Sequence, residues 1–396
     1  MRGPHNILRL IRTGATLERT GAMPVILNAL DAPRTLKFAA RFIVWPFQFL
    51  GRRGDQSLPP APRALTAMGP AYIKFGQILS TRPDVVGPEL AEQLRVLQDR
   101  LPPFSTDVAK QSFKSEIGLD ADDVFSDFSE PVAAASIAQV HRGELKDTGQ
   151  SVAIKVLRPE IERAFQKDLD TFYFAARLVE FVSPKSRRLK PMDVIAHFDG
   201  VVRGELDLRL ESASASEFLA NIKEDKGFSV PSVNWSLSSR RVMTLDWADG
   251  VPMGDVDALA AAGHNLSELG DRVLHMFLNH ALRDGFFHAD MHQGNLKVSS
   301  SGDIVAFDFG IMGHIDEYTR RVYAEILFGF IKRDYKRVAQ VHFEAGYVPQ
   351  DQDVDEFARA LRAVGEPIFG MDASNISMGR LLSYLFEVTE RFGMET

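Results

Sequence analysis

The spacing of apolar residues changes twice along this 396-residue chain, and that change restricts the fold more than any other feature. Leu65, Met68, Tyr72, Phe75 and Leu79 recur at three- and four-residue steps, which predicts an amphipathic helix over 64–80, ended by Pro83. Further helices are expected over 89–99 and 106–117, the latter with Thr106 as N-cap. Segments 124–128, 136–145 and 151–157 are short and rich in β-branched and aromatic residues. Pro131 and the turn Asp147-Thr148-Gly149 divide them, so three meandering strands are expected. Helical spacing returns over 160–182 and 192–222, a strand is expected over 241–245, and from 266 the chain reads as helical except for a break between 285 and 313. The expected fold class is α+β, with a small β-rich lobe followed by a helical lobe.

Charge is unevenly distributed. The chain carries a net charge of −7, which argues against a general nucleic-acid binder. The first 60 residues nevertheless hold nine Lys or Arg against three acids. That basic leader also contains the apolar runs Phe42–Phe47 and Phe49-Leu50, so it is read either as a segment lying on an anionic membrane surface or as a solvated, partly unstructured one. No run reaches the roughly 18–20 apolar residues that span a bilayer. Zero cysteines exclude disulfides, thiolate metal sites and a cysteine nucleophile.

The break at 285–313 carries the chemistry. It reads His288-Ala289-Asp290, four residues later Asn295, a short strand, a Ser-Gly-Asp turn, a second strand and Asp308-Phe309-Gly310. A hairpin there would return Asp308 to the side of Asn295. Carboxylate and amide oxygens suit Mg²⁺, which binds through one or two protein ligands plus substrate phosphates. In protein kinases an Asp, four residues and an Asn form the catalytic loop, and Asp-Phe-Gly holds the metal. Asn295 and Asp308 are thus the candidate metal ligands, with Asp290 left as a base.

Upstream, Val152-Ala153-Ile154-Lys155 closes an alternating strand, a poor place for an ammonium unless it meets an acid or a phosphate. The 192–222 helix offers Glu205, Asp207 and Glu211. Asp207 and Glu211, four apart, would share a face and need a nearby cation, whereas Arg203 and Arg209 would satisfy Asp207 and Glu205 on the surface in the plainer reading. Where a kinase covers phosphates with a glycine-rich loop, Ala133-Ala134-Ala135-Ser136 has no glycine, which predicts a different grip on the nucleotide.

Lys74-Phe75-Gly76-Gln77, Ala133 to His141 (AAASIAQVH), Glu205-Leu206-Asp207 and His288-Ala289-Asp290 with Asn295 resemble the UbiB-type (ADCK-like, aarF-domain) atypical kinases. The resemblance runs from about residue 64 to the end. It implies a two-lobed protein-kinase-like fold with an added N-terminal helical extension, divided as leader and linker 1–63, helical extension 64–120, N-lobe 121–248 and C-lobe 249–396. It implies binding of ATP or ADP with Mg²⁺, ATPase activity, and support of ubiquinone biosynthesis at the cytoplasmic side of a membrane, with a lipid or quinone-pathway intermediate and other ubiquinone-biosynthesis proteins as partners. In it, Lys155 contacts phosphate with Glu211 or Glu205 as its acid, while Lys74 and Gln77 reach over the pocket that a protein substrate would use. Met291 and Gln293 stand where the family often has prolines. Members often continue into a membrane-anchoring tail, so a chain shortened at Thr396 is expected.

Two other classes compete. A non-catalytic nucleotide-binding scaffold would need few of Lys155, Asp290, Asn295 and Asp308 together. A metallohydrolase would pair His288 with His292, but no Glu follows His288 and Gly294 opposes a helix.

Overall fold

The structure is a computed structural model describing residues 5–29, 34–81, 86–97, 102–182, 190–371 and 375–394. Its packing forms two units. The first takes Met1–Ser216 with Val230–Ala248, and the second takes Glu217–Ser229 with Asp249–Thr396.

The basic leader is helical: His5–Thr20, Ala22–Ala29 and Arg34–Val44 precede a 3₁₀ turn over Trp45–Leu50. His5–Thr20 buries Ala15 and Thr16 against the rest of its unit and packs on the helices Pro60–Met68 and Ile161–Val182. A loosely solvated leader is therefore not what this segment forms. Gly51 permits the close approach that follows, because a Cβ there would lie 2.4 Å from the Ala15 carbonyl oxygen.

Apolar spacing alone joins elements that the backbone separates. The helix expected over 64–80 is two, Pro60–Met68 and Pro70–Ser80. Pro70 supplies no N–H, and Gly69 takes φ 122°, a conformation closed to residues with a Cβ. The helix expected over 192–222 likewise divides into Pro191–Glu205 and Leu208–Asn221. Asp207 sits at that break, where its carboxylate accepts from the Arg209 N–H at 3.2 Å. Ser105, not Thr106, caps Thr106–Ile117, its Oγ accepting from the Val108 N–H. The second predicted helix is seen as Pro88–Leu94; Pro83 and Asp99 lie outside the described residues.

Four strands of the first unit form an antiparallel sheet in the order Phe125–Ala134, Ala138–Leu145, Ser151–Leu157, Val242–Asp246. Pro131 does not end the first strand; register shifts on either side of it absorb the missing donor as an irregular edge. Along Ser151–Leu157 the two-residue period buries Val152, Ile154 and Val156 in a core shared with Ala109 and Phe113. Lys155 thus points to the opposite face.

In the second unit the helix Leu266–Asn279 precedes the break predicted at 285–313, and the helices Glu317–Ile331, Tyr335–Glu344, Val354–Gly365 and Met378–Arg391 follow it. Tyr335, Val338, Phe343, Phe357, Leu361 and Phe392 build its core. Within the break, Phe286–His288 pairs with Met312–His314, and Leu296–Val298 pairs with Ile304–Ala306. The latter hairpin is extended by Val251–Pro252 on one side and by parallel Phe228–Ser229 on the other. Among the described residues no helix is long and apolar enough to cross a membrane.

Candidate functional site

Each unit gathers part of the predicted set. In the first, Lys155 lies between Val140 and Met243 of the neighbouring strands, and its Nζ reaches Glu211 Oε1 and Oε2 at 2.6 and 2.9 Å. The two side chains are 21% and 10% exposed, so this ion pair is screened less than a surface one. Glu205 goes elsewhere: its Oε1 is 2.5 Å from Lys74 Nζ. The break at Leu206-Asp207 lets acids six residues apart address two different lysines.

Asp207 is turned to Arg209 at 2.6 Å, and that guanidinium holds its carboxyl below the usual carboxylate range. Arg203 pairs with Asp199 instead. The shared face expected for Asp207 and Glu211 does not form, since Asp207 precedes the second helix. Of the plainer surface pairings, neither expected partner is met; Arg209 takes Asp207. Gln77 donates through Nε2 to the Leu97 carbonyl at 2.9 Å, so Lys74 and Gln77, one turn apart, reach different elements.

Ala133 and Ala134 end the first strand, and Ala135 and Ser136 enter the turn that follows. The Ala135 N–H donates to the Ala138 carbonyl at 2.8 Å. Arg158 clamps the other side, donating through Nε and Nη2 to the Ala135 carbonyl at 3.0 and 2.9 Å. Sequence reasoning missed Arg158; its one signal is a cation directly after the Lys155 strand. Gln139, inside the alanine-rich motif, brackets the Phe104 backbone by accepting at 3.0 Å and donating at 3.1 Å.

In the second unit the hairpin returns the chain as expected, with the Phe307 N–H meeting the Asn295 carbonyl at 3.3 Å. Asn295 is only 9% exposed. Its amide nitrogen donates to the Asp290 carbonyl at 3.0 Å and lies 3.4 Å from Asp290 Oδ2. Buried His288 is placed between the two acids: Nε2 donates to the Asp308 carbonyl at 2.5 Å, and Nδ1 accepts from the Asp290 N–H at 3.1 Å. One nitrogen donates and the other accepts, which is the neutral ring, and burial pushes its pKa down in agreement. With both nitrogens so engaged, His288 has no lone pair for a metal, and the His288/His292 metallohydrolase pairing fails. His292 instead accepts from the Gly294 N–H at 3.0 Å. Phe309 is buried with ring centroids 5.7 Å from His288 and 5.8 Å from Phe218, and Asp308 Oδ1 accepts from the Gly310 N–H at 3.1 Å.

These residues fit Mg²⁺. Asn295 uses its amide nitrogen on Asp290, which leaves Oδ1 without a protein donor among the described residues. One amide oxygen and one nearby carboxylate are the hard, incomplete set that leaves sites for phosphate oxygens and water.

Residues 96–342 match the family model of the ABC1 atypical kinase-like domain, and 361–396 match that of the UbiB helical domain. The chain is 40% identical over 337 residues to a "Probable protein kinase UbiB" of Marinobacter nauticus and 41% identical over 337 residues to one of Aliivibrio fischeri. These alignments cover 84% of the chain but only 61% and 62% of the relatives, so the chain spans about three fifths of their length. A solved complex of Rv3197 with erythromycin from Mycobacterium tuberculosis superposes with a TM-score of 0.54 at 23% identity, covering 81% of this chain and 88% of that one. The fold is protein-kinase-like, mixed in helix and sheet, with a helical region before the kinase-like domain. The chain belongs to the UbiB family of ABC1 atypical kinase-like proteins.

Proposed function

We propose that this chain is an Mg²⁺-dependent, ATP- or ADP-binding atypical kinase or ATPase that supports ubiquinone biosynthesis at a membrane and does not ordinarily phosphorylate other proteins. The observation that carries this reading is the neutral His288 bridge, which holds the backbones of Asp290 and Asp308 while Asn295 is tied to Asp290. In this reading Asn295 and Asp308 hold the metal, Asp290 is the acid nearest the acceptor, and Lys155, oriented by Glu211, contacts phosphate. Bound Mg²⁺ would neutralise charge on the phosphates. Ala133–Ser136 covers the nucleotide with a turn fixed by Arg158. Lys74, Gln77, Glu205 and Asp207 act as a gate against protein substrates, and the Lys74–Glu205 pair supports this by tying the added helix to Pro191–Glu205.

Membrane placement, at the cytoplasmic face, rests on the leader. Phe38, Phe42, Trp45 and Phe49 are exposed aromatics in a basic segment. Lipids or quinone-pathway intermediates and other ubiquinone-biosynthesis proteins are the partners this reading assigns.

The test is ATP hydrolysis by Asp308→Asn. Loss of the anionic ligand is expected to reduce Mg²⁺-dependent turnover by about 100-fold or more. Undiminished turnover in the variant removes the metal assignment, and nucleotide binding by the parent with no turnover under any lipid condition favours the scaffold.

A further inference from the structure

The first unit contains a cavity of about 290 Å³ that the nucleotide reading does not use. It lies where His5–Thr20, the Arg52 segment and the Ile161–Val182 helix meet, and four cations line it: Arg9, Arg12, Arg52 and Lys167. Opposing them is one carboxylate, Asp168, so the lining carries a formal surplus of three positive charges.

The cations are poorly matched within the chain. Arg9 donates to the Lys167 main-chain carbonyl at 3.0 Å, and Arg52 donates to the Ala67 carbonyl. Among the described residues, neither Arg12 nor Lys167 donates a side-chain hydrogen bond, and none of the four comes within ion-pair distance of an acid, although Arg9, Arg52 and Lys167 stand close enough to Asp168 to favour its charged form. Guanidinium groups carry five N–H donors each in a planar fork, so most of their capacity to bind an oxyanion remains. Thr13, hydrogen-bonded to the Tyr72 hydroxyl at 2.9 Å, adds a polar wall and stiffens the rim. The volume is at the lower end for a small-molecule site, large enough for a phosphate-sized group and too small to enclose a nucleoside triphosphate.

We propose that this cavity is an anion site for a phosphate group, presented by a phospholipid headgroup or free in solution. The cations converge from three segments distant in sequence, which a merely solvated basic surface does not require. Arg forks recognise phosphate oxygens in pairs, and Lys167 adds a point charge. Either source of phosphate satisfies this chemistry. The site is independent of the residues assigned to ATP.

The experiment uses the full chain and the double variant Arg12→Gln/Lys167→Gln, whose side chains are exposed and make no hydrogen bond among the described residues, with thermal unfolding and Mg-ATP binding as controls for an intact fold. Inorganic phosphate binding is measured by calorimetry, and vesicles of phosphatidylcholine with and without phosphatidylglycerol are tested by flotation. A phosphate affinity weakened tenfold or more in the variant supports the site. If phosphatidylglycerol-dependent flotation also falls in the variant and inorganic phosphate competes with it, the source is a headgroup; if flotation is indifferent to both, the source is free anion. Equal behaviour of parent and variant in both assays overturns the proposal, as does a parent that binds neither phosphate nor anionic vesicles.

Discussion

Among single side chains, Asp168 shows how position decides chemistry. Burial pushes its carboxyl up to about 6, although Arg9, Arg52 and Lys167 oppose that rise, and Tyr72 next to it is pushed up to about 12, also by burial. A folded-state value above the unfolded one means that the native chain binds the extra proton. Asp168 therefore detracts from stability above pH 6, and the loss is relieved as pH falls from about 6 toward the unfolded carboxylate value near 4. Asp168→Asn is expected to raise stability by about 1 kcal/mol at pH 7.5, a figure already reduced for partial exposure, and to change it little at pH 4.5. Urea titrations at the two pH values check this; an equal effect at both would contradict the assignment. Nothing in the sequence marks this aspartate, because the arginines whose charge it feels come from segments more than a hundred residues away. Placements set by local sequence are easier: the return of the hairpin that brings Phe307 to Asn295, and the outward face of Lys155 on its strand, follow from spacing and strand period. Which acid Lys155 takes does not, since that depends on a helix break between Glu205 and Glu211 that apolar spacing does not report.

Elements are legible where one signal dominates. The Ser151–Leu157 strand and the Ile161–Val182 helix fall within a residue of expectation, because a two-residue alternation and a long amphipathic stripe leave few alternatives. Expectation and structure part where a continuous stripe crosses a break. Gly69-Pro70 and Leu206-Asp207 each end one helix and begin another without disturbing the apolar rhythm. At Gly69, with φ 122° and ψ −172°, an added Cβ would find no neighbour within 4 Å, so a substitution would meet backbone strain alone. Gly69→Ala is expected to destabilise the chain by about 1–3 kcal/mol without loss of packing. A denaturation midpoint unchanged within error would show that the backbone relaxes at no cost. Bulges, like breaks, escape the pattern: Pro131 reads as a terminator and is an interior irregularity of its strand.

For the molecule as a whole, sequence order and packing order do not coincide. Residues 217–229 are assigned to the second unit, yet the chain then returns to the first for 230–248. The short strand Phe228–Ser229 pairs with Ile304 and Val305, and Val242–Asp246 completes the other sheet. A fragment beginning at Asp249 thus lacks a strand of its own sheet, whereas one beginning at Glu217 keeps it. The longer fragment is expected to unfold more cooperatively in urea, and identical m-values and midpoints for the two would deny that strand any importance. This interleaving also governs synthesis on the ribosome. The first sheet cannot close until residue 246 has emerged, by which time the strand destined for the second has already been made and must wait, with its edge open, for about 60 further residues before its partner exists. Any nascent-chain pause in that interval would leave an unpaired edge exposed, a vulnerability absent from a chain whose units follow one another in line.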